Sequence, residues 1–347
     1  MTAFSVYSPF APFAPFVQFS RFLRSMAPVI LLMLGLLGTP MLSAQEQPPA
    51  TPPAHWGAIS INMESIEYPH PVNFLHRNLY GQDVRIAYMD VAPTAPANGR
   101  TVVLLHGSSY YALYWKDTIT ALTAAGFRVV TVDRLGWGKS AKPLIPYSAH
   151  LHASNTKAIL DHLGISEVAI VGHSMGGRMA STFAYTYPET TTHLGMVNPI
   201  GLDNSTQGRV WRDPDSGPAE PDLQQVYESN LRTETRRIVN WKAKHLDHVR
   251  IRYGMALSGE YHRLNMVRAL NRDLLAEPVD SFWPKIQAPA IMIAGAQDGP
   301  NFPERARRAT DLLPNGTLYL IEEAGHNPHE ETPEEFNAEL IRFLNSQ

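Results

Sequence analysis

Residues 168–177 read VAIVGHSMGG and form the most informative stretch of the chain. The four apolar residues that open it do not alternate with polar ones, which is typical of a strand buried on both faces of a sheet. The Gly-x-Ser-x-Gly pattern predicts a sharp turn from strand to helix, in which Gly172 and Gly176 leave room that side chains would fill. The amide of Met175 opens the helix and faces the place where an oxyanion would form. The stretch therefore predicts Ser174 as a nucleophile.

Short apolar runs alternate with longer helical patterns on both sides of this stretch. Such alternation predicts an α/β protein with a mostly parallel, doubly wound sheet that helices cover on both faces. The runs at 102–105 and 290–294 are apolar throughout, so we expect them to be central strands. Strands are predicted at 84–89, 101–106, 128–133, 168–171, 194–197, 290–294 and 317–321.

Helices are predicted between these strands, at 114–125, 149–163, 176–187, 302–313 and 332–345. In the last of them Thr332 is expected to be the N-cap, and Glu335 to close a capping box. Between 203 and 284 the alternation stops, and a polar stretch with helical periodicity predicts helices at 229–245 and 264–275. We interpret this stretch as a helical cap inserted between two strands of the core.

The beginning of the chain has the layout of a secretory signal peptide. Arg21 and Arg24 precede an apolar stretch at 26–42, which ends in small residues before Gln45. Glycine and proline interrupt that stretch and leave it short of the roughly 20 residues that a membrane-spanning helix needs. We therefore expect a secreted or periplasmic protein. Its predicted parts are a signal peptide (1–44), a proline-rich linker (45–54), a core (55–202 and 285–347) and the cap (203–284).

Composition excludes several classes of protein. The chain of 347 residues has no cysteine, which rules out disulfides and a thiol nucleophile, and its formal charge of −3 gives no sign of a nucleic-acid partner. No metal-ligand spacing is present, and no Gly-x-Gly-x-x-Gly follows the first strand. We therefore expect no metal or other cofactor and no stable membrane span in the mature chain.

Two further motifs resemble those of the α/β-hydrolase superfamily. LLHGSS at 104–109 resembles the family's His-Gly loop, and DRLGWGKS at 133–140 resembles its Asp-x-x-Gly-x-Gly-x-Ser turn, which shapes the site without doing chemistry. The resemblance covers the chain from about residue 75 to 345 except the cap. It implies an α/β-hydrolase fold and assigns the second oxyanion amide to Ser108, with Ser109 as a nearby alternative.

The same resemblance assigns the acid that orients the base. GAQD at 295–298 directly follows a predicted strand and resembles the family's Gly-x-x-Asp, which makes Asp298 the acid. Its task is to hold the tautomer of the catalytic imidazole and to stabilise the imidazolium. Asp203 follows the preceding strand, at the position that some relatives use, and it is the alternative.

The base is assigned among fourteen histidines by its context. EAGHNPH at 323–329 lies between the last predicted strand and the last helix, and it resembles the family's Gly-His-x-Pro loop. This makes His326 the base, with His329 expected to support the loop. The chain order Ser174, Asp298, His326 is the order that this fold uses.

Together these residues predict a cofactor-independent serine hydrolase that acts on a small ester-like molecule, most simply a carboxylesterase that works through an acyl-enzyme. The chain is also similar to meta-cleavage C–C hydrolases, which have Ser-Met-Gly-Gly at the same turn. Their pattern, however, has Asn before the serine and Trp after the final histidine. This chain has His173 and Asn327 at those positions. C–C hydrolase or perhydrolase-like activity is therefore the second hypothesis, and a non-catalytic binding protein of the same fold is a third.

Overall fold

The computed structural model describes residues 47–202, 213–216, 220–271, 274 and 279–346. Within these residues eight strands form one sheet. In chain order they are β1 (Val72–Leu79), β2 (Gln82–Val91), β3 (Thr101–Leu105), β4 (Arg128–Val132), β5 (Val168–His173), β6 (Thr191–Val197), β7 (Ala290–Gly295) and β8 (Gly316–Ile321). Across the sheet their order is β1-β2-β4-β3-β5-β6-β7-β8.

The sheet is mostly parallel. β2 runs antiparallel to both of its neighbours, β1 and β4, whereas every other pair of adjacent strands is parallel. The predicted α/β fold is therefore confirmed, and the predicted strands begin and end within three residues of the observed ones. Because parallel strands end at one edge of the sheet, the residues that follow β5 to β8 can meet there. These include Ser174 after β5, Asp298 after β7 and His326 after β8.

Strand β1 was not predicted from the sequence. It pairs only with β2, through a tight turn in which Tyr80 and Gly81 both have positive φ, at 52° and 75°. Such turns match the twist of the strands they join. As an edge strand it leaves much of its length partly or fully exposed, so its sequence lacks the apolar run of the central strands.

Helices cover both faces of the sheet. Alternate residues of β3 point to opposite sides, with Val103 and Leu105 in one apolar cluster and Val102 and Leu104 in the other. Helices α2, α3 and α7 pack on the first face, and α1 and α9 pack on the second. The helices of the described residues are α1 (Lys116–Ala124), α2 (Ala149–His162), α3 (Met175–Thr186), α4 (Leu223–Arg237), α5 (Leu246–Ala256), α6 (Tyr261–Leu270), α7 (Phe302–Thr310), α8 (Pro328–Glu331) and α9 (Pro333–Leu344).

The capping box predicted for the last helix is wrong. The Thr332 hydroxyl makes no capping bond to α9 and instead donates to the carbonyl of Pro328 at 3.2 Å. The Glu335 carboxylate accepts a hydrogen bond from Tyr319 at 3.0 Å. The physical reason is that α8 runs directly into α9, so the Thr332 amide already donates to the Pro328 carbonyl at 2.9 Å and the hydroxyl reaches the same oxygen.

Between β6 and β7 the described residues form α4, α5 and α6. The helix predicted at 229–245 is confirmed for 229–237, within α4, and wrong beyond that, because α4 ends at Arg237 and α5, which was not predicted, begins at Leu246. The intervening residues include Val239 and Asn240, whose backbone amides bond a carboxylate of the core and are therefore not available to a helix. The helix predicted at 264–275 corresponds to α6.

Some predictions fall on residues outside the described part of the chain. These are the signal peptide, the alternative acid Asp203, and residues 272–273 and 275 of the last predicted cap helix. In the part that is described, every helix is too short or too polar to cross a membrane.

The chain before β1 contacts the cap helices. Ile59 donates its amide hydrogen to the carbonyl of Gly254 in α5 at 2.9 Å, and the Tyr227 hydroxyl in α4 donates to the carbonyl of Pro49. A side chain at residue 254 would meet Ile59 at 2.7 Å, so the close approach requires glycine there. The approach carries Ile61 to the wall of the cavity described below.

Candidate active site

The turn between β5 and α3 has the geometry that the glycines predict. Ser174 adopts φ 55° and ψ −117°, a strained conformation for a residue with a side chain. A Cβ atom at Gly172 would lie 2.0 Å from the carbonyl oxygen of Gly176. A Cβ atom at Gly176 would lie 2.2 Å from the carbonyl oxygen of Leu105 in β3. Glycine is therefore required at both positions, and Ser174 is held at the carboxyl edge of the sheet.

The predicted acid and base lie within hydrogen-bond distance. His326 Nδ1 is 2.7 Å from Asp298 Oδ2, and both side chains are largely buried. A carboxylate at this distance selects the tautomer with its proton on Nδ1 and leaves the Nε2 lone pair free to accept a proton. His326 Nε2 is buried and makes no hydrogen bond to any described residue, Ser174 included. Catalytic hydrogen bonds are often completed only when the substrate binds.

Asn198, which follows β6, was missed by the sequence analysis. Its side chain is fully buried; Nδ2 donates to Asp298 Oδ2 at 2.9 Å, and Oδ1 accepts from the Gly295 amide at 2.9 Å. The asparagine therefore bonds the same carboxylate oxygen as the imidazole and helps to hold the carboxylate in place. The available signal was its place directly after a parallel strand next to β7.

Both predicted oxyanion residues, Ser108 and Met175, line a cavity of about 350 Å³. Ser174, which is 3% exposed, is not among the lining residues. Trp137 donates its indole N–H to the carbonyl of Ser108 and so holds this loop. Ser109 also lines the cavity, and its carbonyl accepts from Arg252 at 3.1 Å. Ser108 and Ser109 therefore both remain candidates for the second oxyanion amide.

Hydrogen bonds through Tyr114 and His173 join the His-Gly loop at 104–109 to the loop that carries His326. Gly107 donates its amide hydrogen to the Tyr114 hydroxyl at 3.0 Å, and that hydroxyl is 2.9 Å from His173 Nδ1. His173 Nε2 is 2.8 Å from the carbonyl oxygen of His326. An amide can only donate and a carbonyl can only accept, so the directions follow: Tyr114 donates to Nδ1, and Nε2–H donates to His326. Burial above all, and then the neighbouring imidazoles of His326 and His329, lower the pKa of His173 and keep it neutral.

Tyr114→Phe is expected to lower turnover by about tenfold and stability by about 1–3 kcal/mol, because two buried polar groups lose their partner. Steady-state kinetics and urea unfolding measure the two effects. Tyr147→Phe is the matched control, since among the described residues its buried hydroxyl bonds only the carbonyl of Pro143, at 2.8 Å. Equal loss of turnover in both variants would show that the chain of bonds to His326 has no catalytic role.

The turn predicted to shape the site is held by Asp133. Its buried carboxylate accepts from the amides of Ala112 and Lys139, each at 2.8 Å, and from the Tyr68 hydroxyl at 2.6 Å. A Cβ atom at Gly138 would lie 2.1 Å from the same carboxylate. With its oxygens engaged in this way, Asp133 holds its turn and does not contact His326.

The order of the strands and the strained serine turn after β5 together define the α/β-hydrolase fold. The sequence model of the Alpha/beta hydrolase family matches residues 102–339, and the chain belongs to this family.

Several known proteins are similar to this chain over most of their own length. A 2-hydroxy-6-oxononadienedioate/2-hydroxy-6-oxononatrienedioate hydrolase from Paraburkholderia phymatum is 30% identical over 282 residues, with 76% of this chain and 92% of the relative covered. A protein from Stutzerimonas stutzeri named as a carbamate hydrolase is 28% identical, with 79% and 97% covered. A solved structure, described as a probable hydrolytic enzyme from Pseudomonas aeruginosa PAO1, superposes with a TM-score of 0.78 at 32% identity. It covers 84% of this chain and 99% of its own.

Proposed function

We propose that the protein is a serine hydrolase that cleaves carboxylic esters through an acyl-enzyme on Ser174. The observation that carries the proposal is the 2.7 Å contact between Asp298 and His326 Nδ1, which leaves the buried Nε2 atom free. A neutral imidazole in this tautomer is the base that a serine nucleophile needs. The strained turn at Ser174 supports the same role.

In this proposal His326 Nε2 takes the hydroxyl proton as Ser174 Oγ attacks the ester carbonyl carbon. The amides of Met175 and Ser108, with Ser109 as the alternative to Ser108, bind the oxyanion. The imidazolium returns its proton to the leaving alcohol. A water molecule then gives a proton to His326 and attacks the acyl-enzyme. The imidazolium passes this proton to Ser174 Oγ as the acyl–oxygen bond breaks, which releases the acid and restores both residues.

The charges on the cavity wall favour a substrate that carries a carboxylate. Lys142, Arg252 and Arg268 line the cavity, and no Asp or Glu is found among its described lining residues. Arg252 already forms a buried ion pair with Glu234. The amino group of Lys142 already donates to two backbone carbonyls of its own turn, and burial lowers its pKa to about 7. Arg268 is exposed and has no hydrogen bond or ion pair to any described residue, so it is free to bind an anion. Guanidinium groups bind carboxylates with two parallel hydrogen bonds.

A second candidate is hydrolysis of a C–C bond. It is favoured by the similarity to the relative from Paraburkholderia phymatum, whose named substrates are dioates. The residues His173 and Asn327 argue against C–C hydrolysis, because they occupy the positions where C–C hydrolases are expected to have Asn and Trp. Decay of the dienol absorbance of 2-hydroxy-6-oxononadienedioate, measured beside ester hydrolysis, separates the two candidates.

Two aryl esters of equal chain length test the proposal, 4-nitrophenyl hexanoate and the 4-nitrophenyl monoester of adipic acid. We expect Arg268→Gln to lower kcat/KM for the adipate by about 10- to 100-fold, because it removes a charged hydrogen bond. The hexanoate should change by less than about threefold, because it offers no anion to this residue. Release of 4-nitrophenolate is the measurement.

Arg232→Gln is the matched control, because Arg232 is an exposed arginine on α4 that does not line the cavity. If both variants weaken adipate hydrolysis equally, net charge and not a local contact is responsible. Absence of turnover of both esters and of the dienoate by the wild-type protein would overturn the proposed function itself.

We also propose that the chain is exported, on the arrangement of Arg21 and Arg24 before the apolar stretch at 26–42. Cleavage near Ala44 would leave a mature chain that begins in the proline-rich stretch. This segment lies outside the described residues, so the proposal stands on the sequence pattern.

A further inference from the structure

Glu331, the last residue of α8, places a buried carboxylate beside the loop that carries His326. One oxygen, Oε1, accepts from the backbone amides on either side of His326, from Gly325 at 3.0 Å and from Asn327 at 3.2 Å. The other oxygen, Oε2, accepts from the amides of Val239 at 2.7 Å and Asn240 at 3.2 Å.

The four donors come from two parts of the chain. Gly325 and Asn327 belong to residues 323–327, here called the base loop, which follows β8. Val239 and Asn240 belong to residues 237–240, here called the cap segment. It begins at the last residue of α4, in the insertion between β6 and β7. Each carboxylate oxygen thus serves one of the two segments, and the carboxylate joins them.

Further contacts join the same two segments. His326 donates its own amide hydrogen to the carbonyl of Arg237 at 2.7 Å, and Asn240 Nδ2 donates to the carbonyl of Glu323 at 2.7 Å. A Cβ atom at Gly325 would lie 2.3 Å from the Arg237 carbonyl oxygen, so no side chain could be accommodated there. The backbone of His326 is therefore held by the cap segment as well as by the core.

A carboxylate suits this position and a neutral amide does not. Two oxygens without protons can accept from four N–H groups, whereas a glutamine has one oxygen and an NH₂ group that would face two donors. Glu331→Gln therefore keeps the shape of the side chain but leaves one of the two segments without its acceptor.

We infer that Glu331 is a positioning residue, which sets the His326 imidazole by fastening the base loop to the cap segment. Productive alignment of the base then depends on where the cap lies. The inference rests on the proposed function, since it takes His326 as the catalytic base.

Glu331→Gln is expected to lower kcat by about 10- to 100-fold, because a small displacement of a catalytic group has effects of this size. KM should stay within about twofold, because Glu331 does not line the cavity. Glu331→Asp keeps both acceptor oxygens and should recover part of the loss. Glu339→Gln is the matched control, since this buried glutamate of α9 pairs with Arg342 and should change kcat by less than about twofold.

The His326→Ala background separates positioning from a general structural role. If Glu331 acts through the imidazole, adding Glu331→Gln to His326→Ala should lower the residual turnover by less than about twofold. A further loss of tenfold or more would overturn the inference, and so would a Glu331→Gln variant with wild-type kcat. Should Glu331→Gln fail to fold, Asn240→Ala, which removes the bond to Glu323, is judged by the same two criteria.

Failure of the proposed function gives a different result. Wild-type protein that turns over neither ester nor dienoate, and is not labelled on Ser174 by a fluorophosphonate, contradicts the proposed function. A wild-type protein that is active and labelled, together with a Glu331→Gln variant that behaves like Glu339→Gln, contradicts only the inference about Glu331.

Discussion

Ser174→Ala and His326→Ala are each expected to lower turnover by on the order of 10⁴ to 10⁶, and the double variant should be little slower than either single one. The reason is that nucleophile and base act in one step, so removal of either leaves only binding and the oxyanion amides. Initial rates on the better of the two aryl esters give the comparison.

Labelling by a fluorophosphonate is the control for the nucleophile. Wild-type protein should take up one equivalent of the reagent and Ser174→Ala none, because the reagent forms its bond with the activated hydroxyl. Losses of turnover that add fully in logarithm would count against a shared role of Ser174 and His326. A labelled Ser174→Ala variant would place the nucleophile elsewhere.

Asp298→Asn should keep the fold and KM but cut turnover by about 10⁴, because an amide favours the wrong tautomer of the histidine. The 2.7 Å distance to His326 Nδ1 and the second bond to Asn198 support this expectation. Circular dichroism and steady-state kinetics on the purified variant test it.

Asp203→Asn is the matched control, and we expect it to change turnover by no more than a few-fold. Asp203 is the alternative acid that the sequence leaves open, and it lies outside the described residues. If Asp203→Asn abolishes turnover while Asp298→Asn stays within a few-fold of wild type, the acid follows β6 and the assignment of Asp298 is wrong.

Much of the fold could be predicted because its signals are local. The central strands β3 and β7 are apolar along their whole length, which only a strand buried on both faces tolerates. The edge strand β1 lacks that signal and was missed. The helix predicted at 229–245 ends early, at Arg237, because tertiary hydrogen bonds of Val239 and Asn240 override the helical pattern.

The sequence predicts the candidate site where a constraint on the backbone restricts the residue type and so produces a motif. Gly172 and Gly176 have no room for a side chain, so the serine turn is visible in the sequence as a pattern. The sequence assigns Asp298 and His326 only through the resemblance of their motifs, and the 2.7 Å distance between them is what the structure adds.

The sequence by itself determined the fold class and the turn that carries Ser174, because strand burial and tight turns restrict residue type position by position. Only the tertiary structure decided which groups surround the candidate triad. Asn198 meets Asp298 and Glu331 meets the loop of His326, and the cap places Arg268 on the cavity wall. These contacts join residues that are distant in the chain, and an isolated Asn, Glu or Arg has no local pattern that marks it. Their roles depend on the packing of strands and cap.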